Sequence, residues 1–257
     1  MTGAHLAHNC RKRTIASKGR RRDMSRSVFI TGGNRGIGLA VARALAADGD
    51  RVAVGYRSGE PPEGLFGVRC EVTDAASVEA AFDAVAREQG PAEVLIANAG
   101  ITRDTLLPRM SEKVFDEVLD TNLRGVFRTV RAAAGPMLAA RRGRIVLLSS
   151  ALAFLGAPGQ TNYAATKTAL VGLARSLAWE LGSRDITVNL VAPGIIDTDM
   201  TKQLSDRRMR DTMKMTPLGR PGTVREVAAA VRFLASEEAG YITGTVLPVG
   251  GGIGMGV

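Results

Sequence analysis

Short apolar runs alternate with helical stretches along almost the whole chain, and few folds satisfy that alternation. Residues 28–30, 51–55, 67–70, 93–97, 144–148, 186–191 and 245–249 read as strands. Residues 38–47, 75–88, 162–181 and 223–235 carry helical periodicity, and 111–140 reads as a longer, broken helical stretch. Asp74 is expected to cap the second helix. Strands separated by helices imply parallel βαβ units. The strands are nearly continuous apolar runs, as in a sheet covered on both faces. No repeat and no linker interrupts residues 27–257. The expectation is one α/β domain with a doubly wound sheet of about seven parallel strands, preceded by an extension over residues 1–26.

Length and charge narrow the class. A chain of 257 residues is long for one domain, but α/β folds often reach that size as a single unit. Aromatics are 4% of the sequence against 45% apolar residues, so Ala, Val, Leu and Ile must fill the interior. No apolar run approaches the roughly 18 residues of a membrane span. No apolar stretch follows the N-terminal charges, as a secretory signal requires. The formal charge of +9 is unevenly placed. Residues 1–26 hold eight of the 34 Lys and Arg and one of the 25 acids, which leaves the body near neutral. That extension is expected to be disordered and to play no part in the fold. Contact with nucleic acid through it is the less favoured reading. Met24, just ahead of the ordered pattern, is expected to be the natural start. Cys10 and Cys70 make no disulfide framework. Cys70 is expected to be a small buried residue and the compartment a reducing cytoplasm. His5 and His8 both lie in the extension, so no metal site is expected.

Two local patterns carry chemistry. Thr31-Gly-Gly-Asn-Arg-Gly-Ile-Gly38 joins the first strand to the first helix. Glycine permits a tight turn and a close approach to pyrophosphate, and the helix N-terminus offers unpaired N–H groups to that anion. Tyr163 and Lys167 stand four residues apart in a predicted helix and so share a face. A cation about 4 Å from a phenolate contributes about 4 kcal/mol at an effective dielectric of about 20. That is worth about 3 pKa units, enough to bring a phenol toward neutrality. A buried aromatic beside a solvated lysine is the plainer reading of the same spacing.

The glycine spacing Thr31-Gly32-x-x-x-Gly36-x-Gly38 resembles the short-chain dehydrogenase/reductase family. So do Asn98-Ala99-Gly100 after the fourth strand, Asn122, Ser150 thirteen residues before Tyr163, Lys167, and Pro193-Gly194 after the sixth strand. The resemblance covers residues 26–257 and implies a single Rossmann-type domain that transfers hydride between a nicotinamide and a carbonyl carbon. It implies a catalytic set of Asn122, Ser150, Tyr163 and Lys167. Tyr163 would be the proton donor in reduction and Ser150 the oxyanion stabiliser. Lys167 would depress the tyrosine and hold the ribose. Asn122 would support a water chain that reprotonates the tyrosine. Ser149 is the alternative to Ser150, and the spacing favours Ser150.

The cofactor contacts implied are Gly32, Asn34, Arg35, Gly36, Ile37, Gly38, Arg57, Glu71, Val72, Asn98, Ala99, Gly100, Tyr163, Lys167, Pro193, Gly194, Ile196 and Thr198. Thr198 is also expected to cap a following helix. Gly55-Tyr-Arg-Ser58 has no acid for a ribose 2′-hydroxyl, whereas Arg57 and Arg35 suit a 2′-phosphate. The expected cofactor is therefore NADPH/NADP+. Val249-Gly-Gly-Gly252 departs from the family's frequent V-D-G-G, which puts oligomer contacts there in question.

Within the family the chain is most similar to the 3-oxoacyl-[acyl-carrier-protein] reductases of bacterial fatty-acid synthesis. Asn34-Arg-Gly-Ile-Gly38, Gly159-Gln-Thr-Asn-Tyr163 and Ile195-Ile-Asp-Thr-Asp-Met200 carry that likeness. It implies a carrier-bound substrate, docking of the acidic carrier at Arg141 and Arg184, and a dimer or tetramer joined through the long helices. A reductase of polyketide intermediates, quinones or steroids is the alternative, and a dinucleotide-binding protein without turnover ranks below it.

Overall fold

The computed structural model describes residues 25–198, 201 and 206–256. Residues 1–24, with Met24, Cys10 and both histidines, lie outside the described residues. Seven parallel strands form one sheet: β1 Ser27–Thr31, β2 Arg51–Tyr56, β3 Phe66–Arg69, β4 Val94–Ala97, β5 Gly143–Leu148, β6 Ile186–Pro193 and β7 Val246–Val249. Their order is β3-β2-β1-β4-β5-β6-β7. The chain winds outward from β1 in one direction and from β4 in the other, so a crevice opens where these two strands meet.

Side-chain alternation along each strand builds two cores. Phe29, Leu95, Ile145 and Leu190 face one side and pack under α2 Ala75–Gln89, α4 Gly125–Ala140 and α6 Thr161–Leu181. Val28, Ile30, Ile96 and Val146 face the other, under α1 Gly36–Ala47 and α8 Val224–Leu234. Both faces are thus apolar, which is why the strands show no polar alternation in sequence. Asp74 caps α2 by accepting the Ala76 N–H at 3.0 Å. Cys70 is buried, and burial, with Glu71 beside it, pushes its thiol up to about 12, so it is inert.

The stretch 111–140 divides into α3 Glu112–Leu119, a π-helical turn Asp120–Arg124, and α4. The wider turn breaks the regular periodicity and sets Asn122 fully inside the protein. Two helices had no clear sequence signal. Helix α5, Ala151–Leu155, is too short to show a period, and α7, Asp206–Lys214, is dominated by charge. Arg26 has a structural role that composition concealed. Its guanidinium pairs with Asp50 at 2.6 Å and bonds the Ala235 carbonyl, tying the start of β1 to β2 and to the end of α8.

Candidate active site

The residues singled out by sequence gather at the carboxyl edge of the sheet. Gly32–Gly38 follow β1, Arg57 follows β2, Glu71 and Val72 follow β3, Asn98–Gly100 follow β4, Ser150 follows β5, and Gly194–Thr198 follow β6. The sheet order sets these segments side by side along one rim.

The glycine turn is fixed from β4. Asn98 donates through Nδ2 to the carbonyls of Thr31 (3.0 Å) and Gly32 (2.9 Å). Thr31 Oγ1 accepts the N–H groups of Asn98 and Ala99, each at 3.1 Å. A Cβ at Gly38 would collide with the Gly32 carbonyl and come within 2.6 Å of Asn98 Nδ2, so only glycine fits there. Helix α1 begins at Arg35 with no capping side-chain hydrogen bond and no acid in its first turn. Its leading N–H groups therefore face the rim without an internal acceptor side chain, which suits a pyrophosphate. Asn34 ties the turn to the Ser58 carbonyl at 3.0 Å. Arg35 and Arg57 are exposed, and Arg57 lies 3.7 Å from Glu71. Val72 is buried against Gly125. Ile196 is buried and its main chain bridges Gly222. The Thr198 N–H donates to Thr201 Oγ1 at 3.0 Å. Residues 199, 200 and 202–205, where the capped helix was expected, lie outside the described residues.

The serine, tyrosine and lysine meet between β5 and α6. Tyr163 and Lys167 lie in the first two turns of α6. Ser150 makes no side-chain cap on α5, and its hydroxyl acts instead on the Tyr163 phenol, favouring release of its proton. Ser149 is committed elsewhere: it donates to the Lys167 carbonyl at 2.9 Å. Lys167 is buried and donates from Nζ to the Leu148 carbonyl at 2.6 Å, with Nζ 5.9 Å from the Tyr163 ring centre. Burial lowers the ammonium to about 8. The expected depression of Tyr163 is not found. Burial pushes the phenol above its ordinary value, the Ser150 bond pulls against this, and the Asp104 carboxylate adds to the rise. Desolvation outweighs a neighbouring ammonium whose hydrogen bond is spent on a carbonyl.

Asn122 braces the loop after β4. Its Oδ1 accepts the Ile101 N–H and its Nδ2 donates to the Ile101 carbonyl, both at 2.9 Å. A Cβ at Gly100 would stand 3.2 Å from Asn122 Oδ1 and 3.4 Å from Lys167 Nζ, so the three groups converge.

Sequence reasoning missed the strap that holds this loop to α6. Gln160 Nε2 bonds both Asp104 oxygens, at 3.1 and 2.9 Å. Asn162 is buried, donates to the Arg103 carbonyl at 3.1 Å and accepts the Tyr163 N–H at 2.7 Å. Gly159-Gln-Thr-Asn-Tyr163 is the signal in the sequence, but its local pattern does not reveal a partner 56 positions away. Arg141 and Arg184 are not part of this rim. They precede β5 and β6, at the amino edge of the sheet. Arg184 lies past the end of α6, about 25 Å from Lys167 at about 1.5 Å per residue.

Known proteins resemble this chain along almost its whole length. A family model described as Enoyl-(Acyl carrier protein) reductase matches residues 32–254. The 3-oxoacyl-[acyl-carrier-protein] reductase MabA of Mycobacterium bovis is 51% identical over 91% of this chain and 94% of its own. Its namesake from Mycobacterium avium is 51% identical over 95% of both chains. The 3-oxoacyl-[acyl-carrier-protein] reductase FabG of Staphylococcus aureus is 45% identical over 90% of this chain and 99% of its own.

Proposed function

The chain belongs to the short-chain dehydrogenase/reductase family, and from that premise we propose that it reduces the 3-keto group of an acyl thioester borne by acyl carrier protein, using NADPH. One observation carries the reading. Two hydroxyls, Ser150 and Tyr163, stand close enough for Ser150 to ease release of the Tyr163 proton, beside a buried ammonium at the rim where the uncapped α1 terminus is open to a dinucleotide. A ketone oxygen needs two donors as it gains charge, and these hydroxyls supply both.

The residues that would hold a nicotinamide dinucleotide fit it by shape and charge. Gly32, Asn34, Arg35, Gly36, Ile37 and Gly38 would cradle the pyrophosphate. Arg35 and Arg57 would take the 2′-phosphate, with Glu71 and Val72 at the adenine. Asn98, Ala99, Gly100, Pro193, Gly194, Ile196 and Thr198 would flank the nicotinamide half. When bound, the dinucleotide supplies hydride to the carbonyl carbon. Ser150 donates a hydrogen bond to the carbonyl oxygen and Tyr163 gives it a proton, leaving the hydroxyl product. Burial keeps the Tyr163 proton in place at neutral pH, as a donor in the reductive direction requires. Lys167 returns the proton and engages the ribose hydroxyls, and Asn122 holds the loop that frames this path.

Arg141 and Arg184 would dock the acidic carrier of a substrate entering the site of a neighbouring copy, given their distance from Lys167 in the same chain. Exposed Phe127 on α4 and Trp179 on α6 support such a dimer or tetramer through the long helices. No helix among the described residues is long and apolar enough to cross a membrane, in keeping with a cytoplasmic enzyme.

The test is NADPH consumption by the purified chain with 3-oxoacyl thioesters, quinones and steroids, each repeated with NADH. The expected result is fastest turnover of 3-oxoacyl thioesters with NADPH. Faster reduction of a quinone or steroid would remove the substrate assignment, and equal use of NADH would remove the cofactor assignment.

A further inference from the structure

The segment after β7 folds back across the carboxyl edge instead of leaving the protein. The Val249 carbonyl accepts the Gly194 N–H at 3.0 Å, and the Gly251 carbonyl accepts the Leu218 N–H at 3.0 Å. Gly252 lies so close to Pro217 that a side chain there would collide with its ring. Ile253 is buried. A Cβ at Gly254 would touch Ala151 Cβ at 3.0 Å, and Ala151 immediately follows Ser150. The tail therefore joins three walls of the rim: the turn after β6, the end of the segment that follows α7, and the residue beside Ser150.

Under this tail lies a cavity of about 370 Å3. Its apolar wall is Leu218, Pro248, Val249, Ile253 and Met255, and the Arg220–Glu226 ion pair (2.7 Å) stands on its lining. Ile253 and Met255, on either side of the Gly254 that meets Ala151, both line the cavity, so its wall adjoins a group touching the serine's neighbour. Leu218 and Met255 are 66% and 77% exposed, too open for core residues, and both line the cavity. The lining offers dispersion contacts with a single charged pair among them, which suits an alkyl chain better than a polar ligand.

We propose that this cavity receives the distal alkyl chain of the acyl substrate, and that Leu218 and Met255 set the chain length accepted. This rests on the 3-oxoacyl reading above. The wall is made by a tail of glycines because Gly252 and Gly254 must lie flush on Pro217 and Ala151. An alkyl chain cannot pass the Arg220–Glu226 pair on the lining without stripping water from charges.

The experiment compares kcat/KM for acetoacetyl and 3-oxododecanoyl thioesters with NADPH in the parent, Met255→Trp, Leu218→Trp and Met255→Ala. Filling the cavity is expected to lower the long-to-short preference by about tenfold or more, the scale on which apolar pockets discriminate. Met255→Ala is expected to shift the preference toward long chains, and guards against a tryptophan variant that fails to fold. An unchanged ratio in all three, with the acetoacetyl substrate still reduced, would overturn the cavity assignment alone. A parent that reduces neither thioester would overturn this proposal together with the proposed function.

Discussion

Tyr163 poses a protonation problem that its neighbours settle. Burial holds its proton, Ser150 eases release, and the exposed Asp104 opposes it. Removing the hydroxyl with Tyr163→Phe should lower kcat at least about 100-fold, the usual worth of a positioned proton donor, while the melting temperature with NADPH stays near the parent's. Lys167 predicts a pH limb. Its folded value, about 8, lies below the ordinary 10.5, so the charged form dominates below pH 8 and is lost as pH rises through it. If the ammonium returns the proton, reduction should hold steady approaching pH 8 and fall above it. Lys167→Arg, which stays charged, should flatten that limb if any activity remains. A rate rising through pH 8 would contradict the assignment.

At the scale of elements, the site depends on two braces. Asn98 and Gly38 lock the β1–α1 turn, and an added methyl at Gly38 meets the Gly32 carbonyl and Asn98 Nδ2 together. Gly38→Ala is expected to weaken NADPH binding by about tenfold or more, since displaced main-chain N–H groups no longer converge on the pyrophosphate. Titration by fluorescence would measure it, and unaltered affinity would argue against the turn as the phosphate site. The π turn supplies the second brace. Asn122→Ala removes both bonds to Ile101 and leaves its partly buried backbone groups unpaired, at about 1–2 kcal/mol in urea unfolding. Its kcat should fall further than that stability loss explains, because Gly100 and Lys167 share the disturbed corner.

For the whole molecule, ligand binding and charge placement give separate readouts. NADPH at about 100 times its Kd should add about 2.7 kcal/mol, or about 5–10 °C in Tm for a chain of this size. NADH at the same concentration should add less if Arg35 and Arg57 hold a 2′-phosphate. Charge reversal at Arg141 and Arg184 should slow carrier-bound substrate more than a small thioester. Equal losses would place docking elsewhere. The residues lie at the amino edge of the sheet, so mixed oligomers of Arg184→Glu and Tyr163→Phe chains should regain more carrier-dependent activity than same-chain delivery would allow.

Much of this was legible in the chain. Apolar runs broken by helical periodicity dictate a parallel sheet, because both faces of each strand must be buried. The spacing of Gly32, Gly36, Gly38, Ser150, Tyr163 and Lys167 marked the rim, because close backbone approach and a shared helix face are local properties of sequence. Local pattern could not give the sign of the Tyr163 shift, since desolvation depends on what the fold packs around the phenol. Nor could it give the grip of Gln160 and Asn162 on the loop near Asp104, the π turn under Asn122, or the glycine tail laid against Ala151. The Gln160 and Asn162 bonds and the tail contact join residues tens of positions apart in sequence, and the π turn is held by the packing around it. Only the tertiary structure decided them, because burial and hydrogen-bond partnership belong to neighbours in space.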